Sequence, residues 1–125
     1  MTNTFSLALL AASVAVAAQR HDEHVVVPLE QGIPDTLVRH TVEVELIRSG
    51  PQQGLQVRFG VTEWPNVYFR PNEGVWDWTG YAGLAVDVYN AEPVAQLVSL
   101  RVDNEGADGA NHCNQLGRSL PPGRW

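Results

Sequence analysis

The sequence has little cysteine, little positive charge and none of the common catalytic signatures. Cys113 is the single cysteine, so no disulfide can form within the chain. Eight basic residues stand against 14 acidic ones, and the net charge of −6 repels the phosphate backbone on which nucleic-acid binding depends. The chain contains no G-x-S-x-G, H-E-x-x-H or Walker glycine pattern, so acyl transfer, metalloproteolysis and phosphoryl transfer lack their usual markers.

One apolar run stands out, at the N-terminus. The length of 125 residues predicts one compact domain. Residues 1–18 combine a short polar start, an apolar stretch from Leu7 and small residues around Ala15 and Ala17, which is the pattern of a signal peptide. The stretch is shorter than the about 20 apolar residues that span a bilayer. We therefore expect a secreted or periplasmic protein without a membrane anchor. The alternative is an N-terminal strand or helix that packs under the domain.

Beyond this run the hydrophobic pattern has a period of two. Apolar and polar residues alternate in four segments, 41–48, 55–59, 84–89 and 98–103, and such alternation predicts half-buried strands. A turn-rich segment joins the first two into a hairpin. We expect an all-β fold, a two-sheet β-sandwich, in residues 41–125. Residues 19–40 are interpreted as a leader with a possible first strand. Residues 118–122 have the pattern of a strand approach and a turn, and the abrupt stop at Trp125 suggests that a closing strand is missing.

Aromatic residues are concentrated in one part of the chain. Seven of the ten, counting four Trp, three Tyr and three Phe, lie between Phe59 and Tyr81. Sugar rings stack their C–H faces on aromatic rings, while neighbouring polar groups bind the hydroxyls. The residues predicted to bind sugar are Trp64, Trp76, Asp77, Trp78 and Tyr81, with Asn72 nearby. The alternative is that these aromatics pack the core and the loops.

A second cluster of polar residues lies in a glycine-containing segment at 103–109. Asp103, Asn104 and Asp108 supply the hard oxygen ligands that calcium prefers, although the segment lacks the Glu at loop position 12 of an EF-hand. These three residues are the predicted ligands of a structural calcium ion, the single cofactor that the sequence indicates. The alternative is that the segment is a solvated turn. The histidines lack the paired Cys/His pattern of a structural zinc site.

Catalysis by the chain itself is not expected. Glycoside hydrolysis needs two carboxylates about 5 to 9.5 Å apart, one of them with a raised pKa. Glu43 and Glu45 have i, i+2 spacing, but they lie on the polar side of a predicted strand with nothing evident to desolvate them. We therefore assign no catalytic residue.

Several motifs in consistent order resemble the N-terminal domain of glycoside hydrolase family 50 β-agarases. The resemblance covers roughly residues 55–123. The motifs that carry it are WPNVYF at 64–69, VWDWTGY at 75–81, LAVDVYN at 84–90, LRVDN at 100–104, GADG at 106–109, HC at 112–113 and LPPG at 120–123.

The resemblance implies a galactose-binding-like jelly roll that precedes and supports a (β/α)₈ catalytic barrel, and this barrel is not part of the present sequence. It implies galactan as the polysaccharide partner and transfers no catalytic residue to this chain. Three functions follow as hypotheses: an accessory carbohydrate-binding domain, a structural buttress between domains without sugar affinity, and a free-standing secreted lectin-like module.

Overall fold

The computed structural model describes residues 5–10, 13–14, 24–49 and 51–124. Throughout these residues the regular structure is β-strand and there is no helix, so the predicted all-β class is confirmed. It follows that no described helix has the length and apolar character to cross a membrane. The predicted signal peptide lies partly outside the described residues, which include only 5–10 and 13–14 of it. Residues 19–23 of the predicted leader also lie outside them.

The strands within the described ranges are mostly short. They are β1 (Phe5–Leu10), β2 (Ser13–Val14), β3 (His24–Val25), β4 (Leu37–His40), β5 (Val42–Ser49), β6 (Gln52–Phe59), β7 (Asn66–Phe69), β8 (Asp87–Asn90), β9 (Gln96–Asp103), β10 (Cys113–Leu120) and β11 (Gly123–Arg124).

All described strand pairs are antiparallel. The largest sheet has the order β11-β8-β1-β6-β5, and the pairs β9–β10, β4–β7 and β2–β3 form two-stranded sheets. The predicted hairpin is confirmed as β5–β6, in which Ser49 pairs with Gln52. The predicted strand at 98–103 is confirmed within β9. The strand predicted from Leu84 begins only at Asp87.

The hydrophobic core lies on one face of the β5–β6 hairpin. Val44 pairs with Val57 and Leu46 pairs with Leu55, so alternate residues of both strands share this face. Leu55 and Val57 are each only 1% exposed, and burial of such a side chain stabilises the fold by about 1.5–3 kcal/mol. Residues from two other parts of the chain pack against this face: Val26, Val27, Leu29 and Ile33 from the segment after β3, and Leu37, Val67 and Phe69 from the β4–β7 pair.

A close backbone contact joins the β4–β7 pair to the large sheet. Thr41, the residue between β4 and β5, has a φ of 53°, a left-handed conformation that β-branched residues rarely adopt. Its carbonyl oxygen accepts a 2.9 Å hydrogen bond from the Gly60 N–H. A Cβ at position 60 would lie 2.9 Å from both that oxygen and the Thr41 Cγ2, so this approach requires glycine.

Asn90 is a buried polar residue at the end of β8 and is only 1% exposed. Its Nδ2 donates hydrogen bonds to the carbonyl oxygens of Val94 at 3.0 Å and Leu120 at 2.8 Å. Its Oδ1 accepts a hydrogen bond from the Glu92 N–H at 3.0 Å. Asn90 therefore ties the end of β10 to β8 and satisfies its own hydrogen-bonding groups, as a buried amide must.

Candidate functional site: a tryptophan groove

An open groove of about 320 Å³ lies beside the segment that follows β7. We call it the tryptophan groove. It is lined by His24, Val26, Pro71, Asn72, Glu73, Val75, Trp76, Asp77 and Trp78. The polar side chains of this set include two carboxylates and no arginine. Of the residues predicted to bind sugar, the structure brings Trp76, Asp77 and Trp78 together here, with Asn72 beside them.

Trp76 and Trp78 form a stacked pair along one side of the groove. Their ring centroids are 5.6 Å apart and the ring planes differ by 18°. Residues 75–78 lie outside the regular strands, but the two rings meet as the i, i+2 spacing of an extended segment predicts. Trp76 is 37% exposed and Trp78 is half-buried. Each indole offers one face to the other, so only the outer faces can accept a ligand.

Asp77 organises the turn that follows the tryptophan pair. Its Oδ1 accepts a hydrogen bond from the Thr79 N–H at 2.9 Å. Hydrogen bonds from the Thr79 side chain and backbone lower the pKa of Asp77, because they stabilise the charged carboxylate. The Tyr81 N–H donates to the Trp78 carbonyl oxygen at 3.1 Å, and Gly80 supplies the positive φ of 87° that this turn needs. Asp77 therefore keeps its charge at the edge of the groove.

Tyr81 does not line the groove itself, but its ring lies against His24, which does. The two ring centroids are 6.3 Å apart and the ring planes are inclined by 40°. His24 belongs to β3, more than 50 positions away from Tyr81 in the sequence. This histidine and Glu73 were not among the predicted site residues, because nothing local in the sequence places them beside a tryptophan.

Trp64 lies apart from the groove. It is 81% exposed and is not among the residues that line the groove. Its φ of 59° is unusual for an aromatic residue, and its carbonyl oxygen accepts a 2.8 Å hydrogen bond from the Asn66 Nδ2. The structure therefore separates Trp64 from the other predicted sugar-binding residues.

The three predicted calcium ligands lie in or next to the β9–β10 connection. The Asp103 carboxylate is 2.8 Å from the Arg101 guanidinium, and this hydrogen bond raises the pKa of Arg101. Asn104 closes the loop through its backbone: its N–H donates to the His112 carbonyl oxygen at 2.8 Å, and its carbonyl oxygen accepts the Ala107 N–H at 3.1 Å.

Asp108 also uses its carboxylate within the loop. It accepts hydrogen bonds from the Asn111 side chain at 2.8 Å, the Asn111 N–H at 2.7 Å and the Ala110 N–H at 2.9 Å. These bonds lower the pKa of Asp108 to about 2. Within the described part of the chain, no three His, Cys, Asp or Glu side chains come together in a way that could hold a metal ion. The calcium site stays a prediction.

Glu43 and Glu45 lie on the solvent-facing side of β5, as predicted. Their side chains are 78% and 59% exposed and lie 3.8 Å and 3.3 Å from the Arg58 guanidinium. Neither carboxylate is desolvated, so the structure supplies no environment in which one of them would act as a general acid.

Comparisons of the chain with protein-family models, with curated proteins and with solved structures find no match.

Proposed function

We propose that this chain is an accessory carbohydrate-binding domain whose tryptophan groove holds one or two rings of a neutral, galactan-type saccharide. The observation that carries the proposal is the stacked Trp76–Trp78 pair, which borders an open groove together with polar side chains. An indole face accepts the C–H face of a sugar ring, and amide and carboxylate groups at its edge bind hydroxyls and fix the orientation of the ring.

The resemblance to the agarase accessory domain supports the same function. In this proposal the fold is of the jelly-roll type, the protein is exported, and the domain supports a catalytic barrel that belongs to the same enzyme. Glycoside hydrolysis takes place in that barrel, and this domain contributes contacts to the polysaccharide.

Intrinsic tryptophan fluorescence tests the proposal, because the proposed site contains two of the four tryptophans. We expect a saturable change on titration of the full chain with neutral agaro-oligosaccharides and no change with glucose oligomers. Loss of one stacking contact worth about 0.5–1.5 kcal/mol weakens binding by roughly two- to tenfold, so Trp76→Ala should raise the Kd by a factor in that range.

Trp64→Ala is the matched control, because Trp64 is exposed and lies outside the groove. It should remove part of the emission and leave the Kd unchanged. Absence of any saturable change in a chain shown to be folded by circular dichroism would overturn the proposal in favour of a buttress without sugar affinity. Equal weakening by Trp64→Ala and Trp76→Ala would place the binding surface elsewhere.

A further inference from the structure

The first strand occupies an interior position of the large sheet. β1 lies between β6 and β8, and it pairs over six residues with β6 and over four with β8. The backbone of residues 5–10 therefore supplies hydrogen-bonding partners to two neighbouring strands at once. A strand in this position differs from a peripheral one, because its removal would expose unpaired N–H and C=O groups on both sides of the gap.

The register of β1 follows the alternation of the core. Leu7 is paired with Val57 and Leu9 with Leu55, and these partners are the two core residues that are each 1% exposed. Ser6 and Ala8 are paired with Arg58 and Gln56, which lie at the polar positions of β6. Large apolar residues of the segment FSLAL thus take the register positions of the core, and small residues take the others.

If β1 were absent, strands β6 and β8 could not simply pair with each other. β6 and β8 are both antiparallel to β1, so they run parallel to each other. Direct pairing of the two would require the slanted hydrogen-bond pattern of a parallel ladder in a new register. The arrangement therefore fits an inserted antiparallel strand and not a sheet of four strands.

We propose that residues 5–10 are a permanent strand of the folded domain and that the slot between β6 and β8 is their binding site. In this interpretation the apolar N-terminal run is a structural segment that the folded protein retains, in place of the removed signal peptide that the sequence predicts, so any export of the protein leaves residues 5–10 attached. Over residues 5–9 the occupant of the slot is specified by its alternation, with large apolar residues at positions 5, 7 and 9 and small residues at positions 6 and 8, whereas Leu10, paired with Gly54, departs from it.

Charge substitutions at adjacent positions of the full chain test this proposal. Leu7→Glu and Leu9→Glu place a carboxylate at register positions of the core, whereas Ser6→Glu and Ala8→Glu place one at polar positions. We expect the first two to speed native-state hydrogen exchange of the β6 and β8 amides by about tenfold or more. The second two should leave these exchange rates unchanged within roughly threefold. A segment that acts only as a cleaved leader would show no difference between the two pairs.

If Leu7→Glu prevents folding, the less disruptive substitutions Leu7→Ala and Ala8→Ser allow the same comparison of core and polar positions. Leu7→Ala should still speed the exchange of the β6 amides, and Ala8→Ser should not. Equal exchange in all variants would overturn the proposal. The proposal would also be overturned if the exported, folded protein were found to begin after residue 18 and its β6 amides exchanged as slowly as those of the full chain. These outcomes are independent of sugar binding, which is measured separately by fluorescence.

Discussion

The large sheet and the β9–β10 hairpin contain strands with the same kind of sequence alternation but with very different burial. In β6 the alternation places Leu55 and Val57 in the core, each 1% exposed. In β9 the apolar position Leu100 is 39% exposed, and Leu97, which lies on the polar side of the alternation, is 81% exposed. The difference lies in what covers each sheet: the segment after β3 and the β4–β7 pair pack against the first. Among the described strands, β9 and β10 make extensive contact only with each other.

Alternation therefore predicts that a segment is a strand, and a second layer decides whether its apolar face is buried. Substitutions matched between the two regions measure this difference directly.

The largest difference is expected between Leu55→Ala and Leu100→Ala, which lie at apolar positions of the two alternations. Removal of the buried Leu55 side chain leaves a cavity and should lower the free energy of unfolding by about 2–5 kcal/mol. Leu100→Ala, at a position that is 39% exposed, should lower it by less than about 1 kcal/mol. Urea denaturation of both variants measures these values. Equal losses would mean that the hairpin is packed as tightly as the core.

A smaller but clear effect is expected for the buried amide that joins the two regions. Asn90→Ala removes the hydrogen bonds to Val94, Glu92 and Leu120, and loss of the buried bond to the Leu120 carbonyl oxygen makes the cost about 1–3 kcal/mol. The exposed Asn66 also donates one hydrogen bond to a backbone carbonyl, and Asn66→Ala should cost less than about 0.5 kcal/mol. Thermal denaturation compares the two, and a small effect of Asn90→Ala would show that β10 needs no tie to β8.

The ion pairs of the two regions should contribute little and to a similar extent. Arg58 pairs with Glu43 and Glu45 on the large sheet, and Arg101 pairs with Asp103 on the hairpin. Arg58→Gln and Arg101→Gln should each lower the free energy of unfolding by less than about 1 kcal/mol. The loss should shrink in 1 M salt, which screens such pairs. A loss in one region that persists in high salt would contradict this expectation.

The smallest effect is expected from the pH dependence of the hairpin loop. The pKa of Asp108 is lowered to about 2 in the folded chain, below the value of about 3.9 for an unfolded aspartate. The stabilisation is therefore present above about pH 4 and is lost as the pH falls through about 2. Asp108→Asn should remove this part of the acid sensitivity. Melting curves of both proteins between about pH 5 and 2 provide the measurement, and parallel curves would show that the Asp108 hydrogen bonds do not stabilise the loop.

The sequence predicts the fold best where strands are long and alternate strongly. β5, β6 and β9 are eight residues each and were all predicted at least in part. β4 and β7 have four residues each, too few for a period to be visible. β10 contains Asn114 and Gly117, residue types that are depleted in strands, and it is held as a strand by pairing with β9. Residues 84–86 alternate without forming a strand, because alternation alone does not provide a partner.

The candidate site shows the same division between local and distant information. The W-D-W spacing predicts that Trp76 and Trp78 share a side, and the structure brings their rings together. His24 reaches the groove from a segment far away in the sequence, which no local pattern reveals. Trp64 belongs to the same aromatic-rich segment and yet lies outside the groove. The agarase resemblance, the galactan ligand and the calcium site stay predictions.

The contact between Thr41 and Gly60 also constrains how this sequence can change over time. A side chain at position 60 would collide with the backbone of residue 41, whose left-handed conformation in turn disfavours a β-branched residue. Position 60 therefore cannot take a side chain while the backbone of residue 41 keeps its place, whereas position 41 would accept Gly or Asn more readily than the present threonine. Among homologous chains we expect glycine to be retained at 60 and position 41 to vary towards residues that tolerate the left-handed conformation.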